Sequence, residues 1–433
     1  MMTLSHCDLV LSDVLLPEGR VADLSIREGK VVHTGSPLPS DETVSCRGLT
    51  VLPAAVDMHV HMRGGVQREK EDWKTGSMSA IAGGVTVVVD QPNTLPPLTS
   101  TETFDARVAE AARDSLCSYA VNAGVLPGTD IMALWRAGAM AFGEIFAAPS
   151  SYGEGLTDQT LQSALESIHS LGGLATIHAE EVMPGIPHTL ASHNRLRGPA
   201  GEARMVGRIA GSGHSCRIHF CHLSCASSVS AAGTASVEVT PHHLFLSYEQ
   251  VAESDTLYKV NPPLRTESER RRLWTAWERI DVIASDHAPH TLREKEVPFE
   301  EAPSGIPGIE TMLPLLVASY RSGDIDLNSL ITKTSWRPSE LLGIPKAGYY
   351  PGDRADFAIF GALCSQVSAD NLHSRAGFTP FEDMPAVFPQ TVIHAGKIVF
   401  REGEFFPASP RWYAGRGYIG RDPMNDRADT APP

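Results

Sequence analysis

Nowhere in this 433-residue chain does an apolar run approach the roughly 20 residues that a helix needs to cross a bilayer. No membrane span is therefore expected. The N-terminal Met1-Met2-Thr3-Leu4-Ser5-His6-Cys7-Asp8 has no basic region leading into an apolar core and a small-residue cleavage site, so a cytoplasmic protein is expected. The seven cysteines are odd in number and scattered, with no Cys-x-x-Cys, which points to reduced, buried thiols rather than a disulfide framework. Positive charge is scarce: the formal net charge is -15, which argues against general nucleic-acid binding. Lysine is missing altogether between Lys74 and Lys259.

What is present is enough for a sizeable core. Hydrophobic residues make up 42% of the chain, and the length allows one large domain or two smaller ones. Both ends read as short strands with turns: Val21–Ile26, the turn Arg27-Glu28-Gly29-Lys30, then Val31–His33 near the start, and Phe357–Phe360 and Thr391–Phe400 near the end. Pairing of the ends gives a composite small β-sandwich domain from residues 1–50 and 351–405. Residues 421–433 are polar and proline-rich, and are expected to form a disordered tail.

Between the ends, strand and helix patterns alternate. Strands are expected at Val51–His61, Val85–Asp90, Tyr119–Gly124, Ala141–Phe146, Leu174–His178, Arg217–His222, Ser236–Thr240 and Asp281–Ser285. Thr99 with Glu102, and Thr266 with Glu269, have capping-box spacing at helix starts. Leu161, Ala164, Leu165 and Ile168 share one face of a helix between the fourth and fifth strands. Eight such strands fit an α/β fold, a (β/α)8 TIM-type barrel over residues 51–350, with chemistry at the C-terminal strand ends.

Those ends carry a constellation. His59 and His61, at i and i+2 of a strand, lie on one face. Glu144, His178, His222 and Asp286 end the fourth, fifth, sixth and eighth strands. Each alone reads as a hydrogen-bonded structural residue or a cap. Four imidazoles and two carboxylates at one end of a barrel are the ligand mix for zinc, and more than one zinc needs. Two metals sharing a bridging carboxylate and a bridging hydroxide would use all of it.

The motifs Asp-Met-His-Val-His-Met-Arg (57–63), Asp-Gln-Pro-Asn-Thr (90–94), His-Ala-Glu (178–180), Thr-Pro-His-His-Leu (240–244), Lys-Val-Asn-Pro-Pro-Leu-Arg (259–265), Ser-Asp-His-Ala-Pro-His-Thr (285–291) and Ser-Gly-Ile-Pro-Gly-Ile-Glu-Thr (304–311) follow one another in the chain. By these the sequence resembles the dihydroorotases of the amidohydrolase superfamily, from about Leu9 to about Gly403. The resemblance implies reversible cyclisation of N-carbamoyl-L-aspartate to L-dihydroorotate in pyrimidine synthesis, at two divalent metal ions, with zinc expected. It implies that His59, His61 and Asp286 bind one metal and that His178 and His222 bind the other, with Asp286 also the catalytic proton carrier. Arg63, Asn93 and His290 are implied to hold the substrate carboxylate, with Asn261, Pro307 and Gly308 along the substrate. The partner is then a small molecule. A homodimer and an association with aspartate transcarbamoylase both stay open.

Many relatives bridge the metals with a carboxylated lysine at the fourth strand, and the lysine-free span excludes that here. Glu144 is expected to bridge instead, with Glu154 and Asp158 as alternatives. His242 and His243 are expected to be structural, Cys221 and His219 to point outwards towards the helices, and Lys70-Glu71-Asp72 to be a solvated helix start. An allantoinase or a dihydropyrimidinase of hydantoinase type is the nearest rival, although such substrates lack the ring carboxylate that Arg63 suits. A catalytically inactive scaffold is the rival from another class.

Overall fold

The computed structural model describes residues 6–147, 155–213 and 215–420. The expected tail at 421–433 and Glu154 lie outside them. Eight parallel strands form the barrel: β1 (Ala55–Val60), β2 (Val85–Asp90), β3 (Ser118–Val121), β4 (Phe142–Phe146), β5 (Leu174–His178), β6 (Arg217–Phe220), β7 (Ser236–Val239) and β8 (Val282–Ile283). β1 to β3 pair in sequence, and so do β4 to β8. Single bridges join the two arcs, Ala123 to Phe142 on one side and Val60 to His287 on the other. Every residue of β1 and β2 is buried, as strands covered on both faces must be, and this is why Val85-Thr86-Val87-Val88-Val89 reads as a continuous apolar run.

Helices pack outside. α1 (Trp73–Ala82) starts at Asp72, whose side chain accepts from the Thr75 amide. α2 (Thr101–Asp114) starts one residue later than the expected cap. Ser100 accepts from the Thr103 amide and the Thr103 hydroxyl reaches back, so Ser100 and Thr103 form the box and Glu102 is left inside the first turn. α3 (Asp158–Ser170) buries Leu161, Ala164, Leu165 and Ile168. α4 (Leu190–Leu196), α5 (Glu267–Trp274) and α6 (Ile309–Ser322) follow.

Among the described residues, two larger sheets flank the barrel, besides a two-stranded one of Ser365–Gln366 and Pro385–Ala386. One of the larger two has the order Lys30–Gly35, Val21–Arg27, Cys7–Leu15, Ser40–Ser45. In the other, Thr50–Pro53 from the N-terminal part pairs antiparallel with Phe357–Phe360, beside Pro389–His394 and Lys397–Arg401. Thr50–Pro53 thus carries the small unit slightly past residue 50. The Ala355 amide donates to the Gly29 carbonyl at 2.9 Å, which ties the sheets together. Buried Asp356 is the joint to the barrel: it accepts from Arg354 (2.8 Å), the Ala395 amide (2.6 Å) and Thr86 Oγ1 on β2 (3.3 Å).

Candidate metal and substrate site

β1 delivers Asp57 and His59 to the barrel interior by simple alternation, and the His61 amide bonds the His287 carbonyl at 2.8 Å, which keeps the chain extended one step further. Alternation then fails. Arg63 (φ 50°), His222 (φ 36°) and Asp286 (φ 46°) all adopt the left-handed region without being glycine. Such backbone costs of order 1–3 kcal/mol per residue and collects at working sites. The turn at His222 corrects two expectations. β6 ends at Phe220, so His222 does not continue its parity, and Cys221 is brought together with His59 and Glu238 in the interior rather than facing the helices. His219 is likewise interior, with Nε2 3.2 Å from Glu238.

Among the described residues, three groups have donor atoms within 4.8 Å of one another: His59, Cys221 and Glu238, and, on the side of the strand ends, His59, His61 and Glu144, and Glu144, His178 and His222. Glu144 belongs to both of the strand-end groups. Its Oε1 lies 2.8 Å from His178 Nδ1 and 2.7 Å from His222 Nε2, and its Oε2 lies 3.7 Å from His59 Nε2. Asp286 Oδ1 lies 3.1 Å from His61 Nε2 and 3.6 Å from His59 Nε2. Asp158, the alternative bridge, is exposed and pairs with Arg208 instead.

An outer ring fixes the imidazoles. His59 Nδ1 bonds Glu238 at 2.9 Å, His61 Nδ1 bonds Asn93 Oδ1 at 2.6 Å, and His178 Nε2 bonds Glu180 at 2.6 Å. With those nitrogens donating outwards, His59 Nε2, His61 Nε2 and His178 Nδ1 are the ring atoms turned inwards, and a cation bound there would displace any proton on them. Sequence reasoning passed over Glu238. The signal available was an acid inside the otherwise apolar strand Ser236–Val239. Glu180, two residues after His178, is the acid of the His-Ala-Glu motif, and its role becomes visible only with the fold.

The charge balance suits cations. Burial alone would neutralise Glu144, yet the three histidines hold its carboxyl well below the usual range. Burial likewise opposes charge on His178, but Glu144 and Glu180 push its pKa up to about 9. Asp286 is held low against its own burial by His61, His59 and His222. His59 Nε2 is buried without a hydrogen-bond partner although it faces two carboxylates. A buried polar atom left so is costly unless something else meets it. The donor set fits divalent metal on these grounds.

Beside this cluster, Arg63 donates to the Pro289 carbonyl (3.2 Å) and lies 3.4 Å from His290 Nε2. Burial lowers the Arg63 pKa only to about 10, so it stays charged at neutral pH. His290 is kept neutral by burial, Arg63, Lys70 and Lys295. Asn93 turns its oxygen to His61 and Asn261 turns its oxygen to His193, at 2.9 Å. Gly308 begins α6, and its amide donates to His287 Nδ1 at 3.2 Å, with Pro307 buried before it. Lys70-Glu71-Asp72 is not a solvated helix start: Glu71 is fully buried and accepts from Thr75, Ser374 (2.6 Å) and the Arg375 amide. Lys70 bonds His290 Nδ1 at 3.2 Å. His243 is satisfied by Thr240 and the Pro262 carbonyl, whereas His242 Nε2 is buried without a partner.

The amidohydrolase family profile matches residues 50–399. A dihydroorotase of Methanosarcina acetivorans is 37% identical over 88% of this chain and 89% of the relative. A dihydroorotase of Pyrococcus furiosus is 33% identical over 90% of this chain and 89% of its own length. Among solved structures, an L-hydantoinase (dihydropyrimidinase) from Arthrobacter aurescens superposes with a TM-score of 0.88 at 24% identity, covering 94% of this chain and all of that one. That last likeness establishes the barrel fold. Among the described residues, no helix is long and apolar enough to cross a membrane.

Proposed function

The chain belongs to the amidohydrolase family, and from that premise we propose that it is a dihydroorotase, interconverting N-carbamoyl-L-aspartate and L-dihydroorotate plus water in pyrimidine synthesis. The observation that carries this reading is a charged, buried Arg63 beside a metal-type cluster. The ring carboxylate distinguishes dihydroorotate from hydantoins and allantoin, and a guanidinium holds a planar carboxylate through two parallel hydrogen bonds. Arg63 is preset by the Pro289 carbonyl, and neutral His290 lies next to it as a second partner for the carboxylate. Asn93, fixed by His61, has its amide nitrogen left for the same group.

Two divalent ions, zinc by the ligand mix, would be held by His59, His61 and Asp286 and by His178 and His222, with Glu144 shared. When bound, such ions polarise a carbonyl and lower the pKa of water. The protein residues do the rest. Asp286 is ionised and takes the proton of the attacking water in the hydrolytic direction, then hands it to the leaving ring nitrogen. In the synthetic direction it protonates the departing oxygen. Arg63 and His290 hold the ring still through both steps, which converts binding into orientation. Turnover of dihydroorotate against hydantoin, dihydrouracil and allantoin, with a metal count on the same sample, tests the assignment.

A further inference from the structure

α4 (Leu190–Leu196) lies between β5 and β6 and grips two parts of the site at once. On one side, Arg197, which caps its end, bonds Glu180 at 2.6 Å, and Glu180 holds the ligand His178. On the other, Asn194 Oδ1 accepts from buried Arg265 at 2.8 Å, and His193 reaches the segment that carries Asn261. His193 is buried, and its Nε2 lies 3.1 Å from the Val260 carbonyl oxygen and 2.9 Å from Asn261 Oδ1.

A carbonyl oxygen only accepts, so Nε2 carries the proton and donates. The Asn261 atom facing it must then also be an oxygen, and the Asn261 nitrogen with its two N–H donors is turned the other way. Burial and neighbouring Arg197 lower the His193 pKa to about 4, so the imidazole stays neutral through the neutral range, and the Val260 carbonyl sets its single proton on Nε2. Phe299 packs edge-on to the ring and holds it in place.

We infer that His193 is a positioning residue for the reaction: it locks the Asn261 amide with its N–H donors towards the substrate. The inference rests on the proposed function and on the resemblance of the 259–265 motif to the dihydroorotases, which implies that Asn261 lies along the substrate. The ring carbonyls and carboxylate of such a substrate offer only acceptors on their oxygens. An amide free to flip would present its own oxygen to them for part of the time, and the contact would turn repulsive.

The test uses full-length, metal-loaded enzyme with His193→Ala, Asn261→Ala, the double variant and His193→Gln. His193→Ala is expected to lower kcat/KM about 10-fold, mostly through KM, with metal content unchanged. Asn261→Ala should cost a similar factor, and the double variant no more than the worse single, since both remove one interaction. His193→Gln keeps an N–H donor and should recover most of the loss. If His193→Ala does not fold, His193→Gln against His193→Met carries the same comparison, because glutamine donates and methionine does not. Losses that multiply in the double variant overturn the inference. So does a loss of metal from His193→Ala, which would place its effect on His178 instead. Should the parent fail to turn over dihydroorotate, the function reading falls. The coupling between His193 and Asn261 is then measured on whichever cyclic amide the parent does hydrolyse.

Discussion

Glu238 on β7 bonds Nδ1 of His59 on β1 at 2.9 Å, across the inside of the barrel. The same carboxylate oxygen accepts the His222 amide at 2.9 Å. One acid therefore sets the ring of one candidate ligand and the backbone of another. Glu238→Gln should fold and keep its size, but lose about 10–100-fold in metal affinity. Competition against a chelator measures this. Unchanged affinity would remove Glu238 from the ligand-orienting role.

Glu144 is the acid common to both ligand groups. Two divalent cations held close together repel strongly, and a shared anion offsets that. Glu144→Gln should therefore leave one metal per chain or none. Activity of the parent should not respond to added bicarbonate, since no lysine lies between 74 and 259 and Lys259 Nζ is committed to the Phe299 and Ala302 carbonyls at 2.6 Å. Two metals bound in Glu144→Gln, by elemental analysis, would count against the shared role.

Much of this was legible in the chain because a parallel barrel puts its chemistry at strand ends, and strand ends can be read from where apolar runs stop. His59, His61, Glu144, His178, His222 and Asp286 stand at such stops, and the fold brings all six together. What could not be read depends on backbone angles and on contacts between distant strands. Cys221 and His219 were placed on the wrong face because counting parity back from His222 assumes a straight strand, and His222 sits at φ 36°. Glu238 and His193 act through partners 179 and 68 residues away, which no local pattern encodes. The burial of Glu71 is not legible locally because its partners, Ser374 and Arg375, come from the far end of the chain.

Arg63→Met should leave metal content intact and reduce kcat/KM by the equivalent of about 2–4 kcal/mol, the cost of losing a charge-assisted pair to a desolvated carboxylate. Steady-state kinetics on dihydroorotate measures it. Unaltered kinetics would remove Arg63 from carboxylate binding.

Asp356, at the joint between the small sheet and β2, should give the fold a pH-dependent stability. Arg354 and His394 hold its carboxyl well below the ordinary value against the effect of burial. A depressed carboxyl stabilises the fold above its unfolded pKa of about 3.9 and loses that contribution as pH falls further. Asp356→Asn should cost about 3 kcal/mol at pH 7, since it leaves Arg354 buried with a neutral partner. The gap in thermal midpoint between parent and variant should narrow below about pH 4. A gap that stays constant down to pH 3 would show that the charge on Asp356 is not what stabilises this joint.

A two-metal barrel with Arg63 at its mouth should act on a cyclic amide bearing a ring carboxylate. The most direct measurement is hydrolysis of L-dihydroorotate by zinc-loaded protein, beside hydantoin, dihydrouracil and allantoin at equal concentration. For the proposed dihydroorotase, kcat/KM for dihydroorotate should exceed the others by about 100-fold or more, the worth of one bidentate carboxylate pair. Equal or faster turnover of hydantoin or allantoin would contradict it.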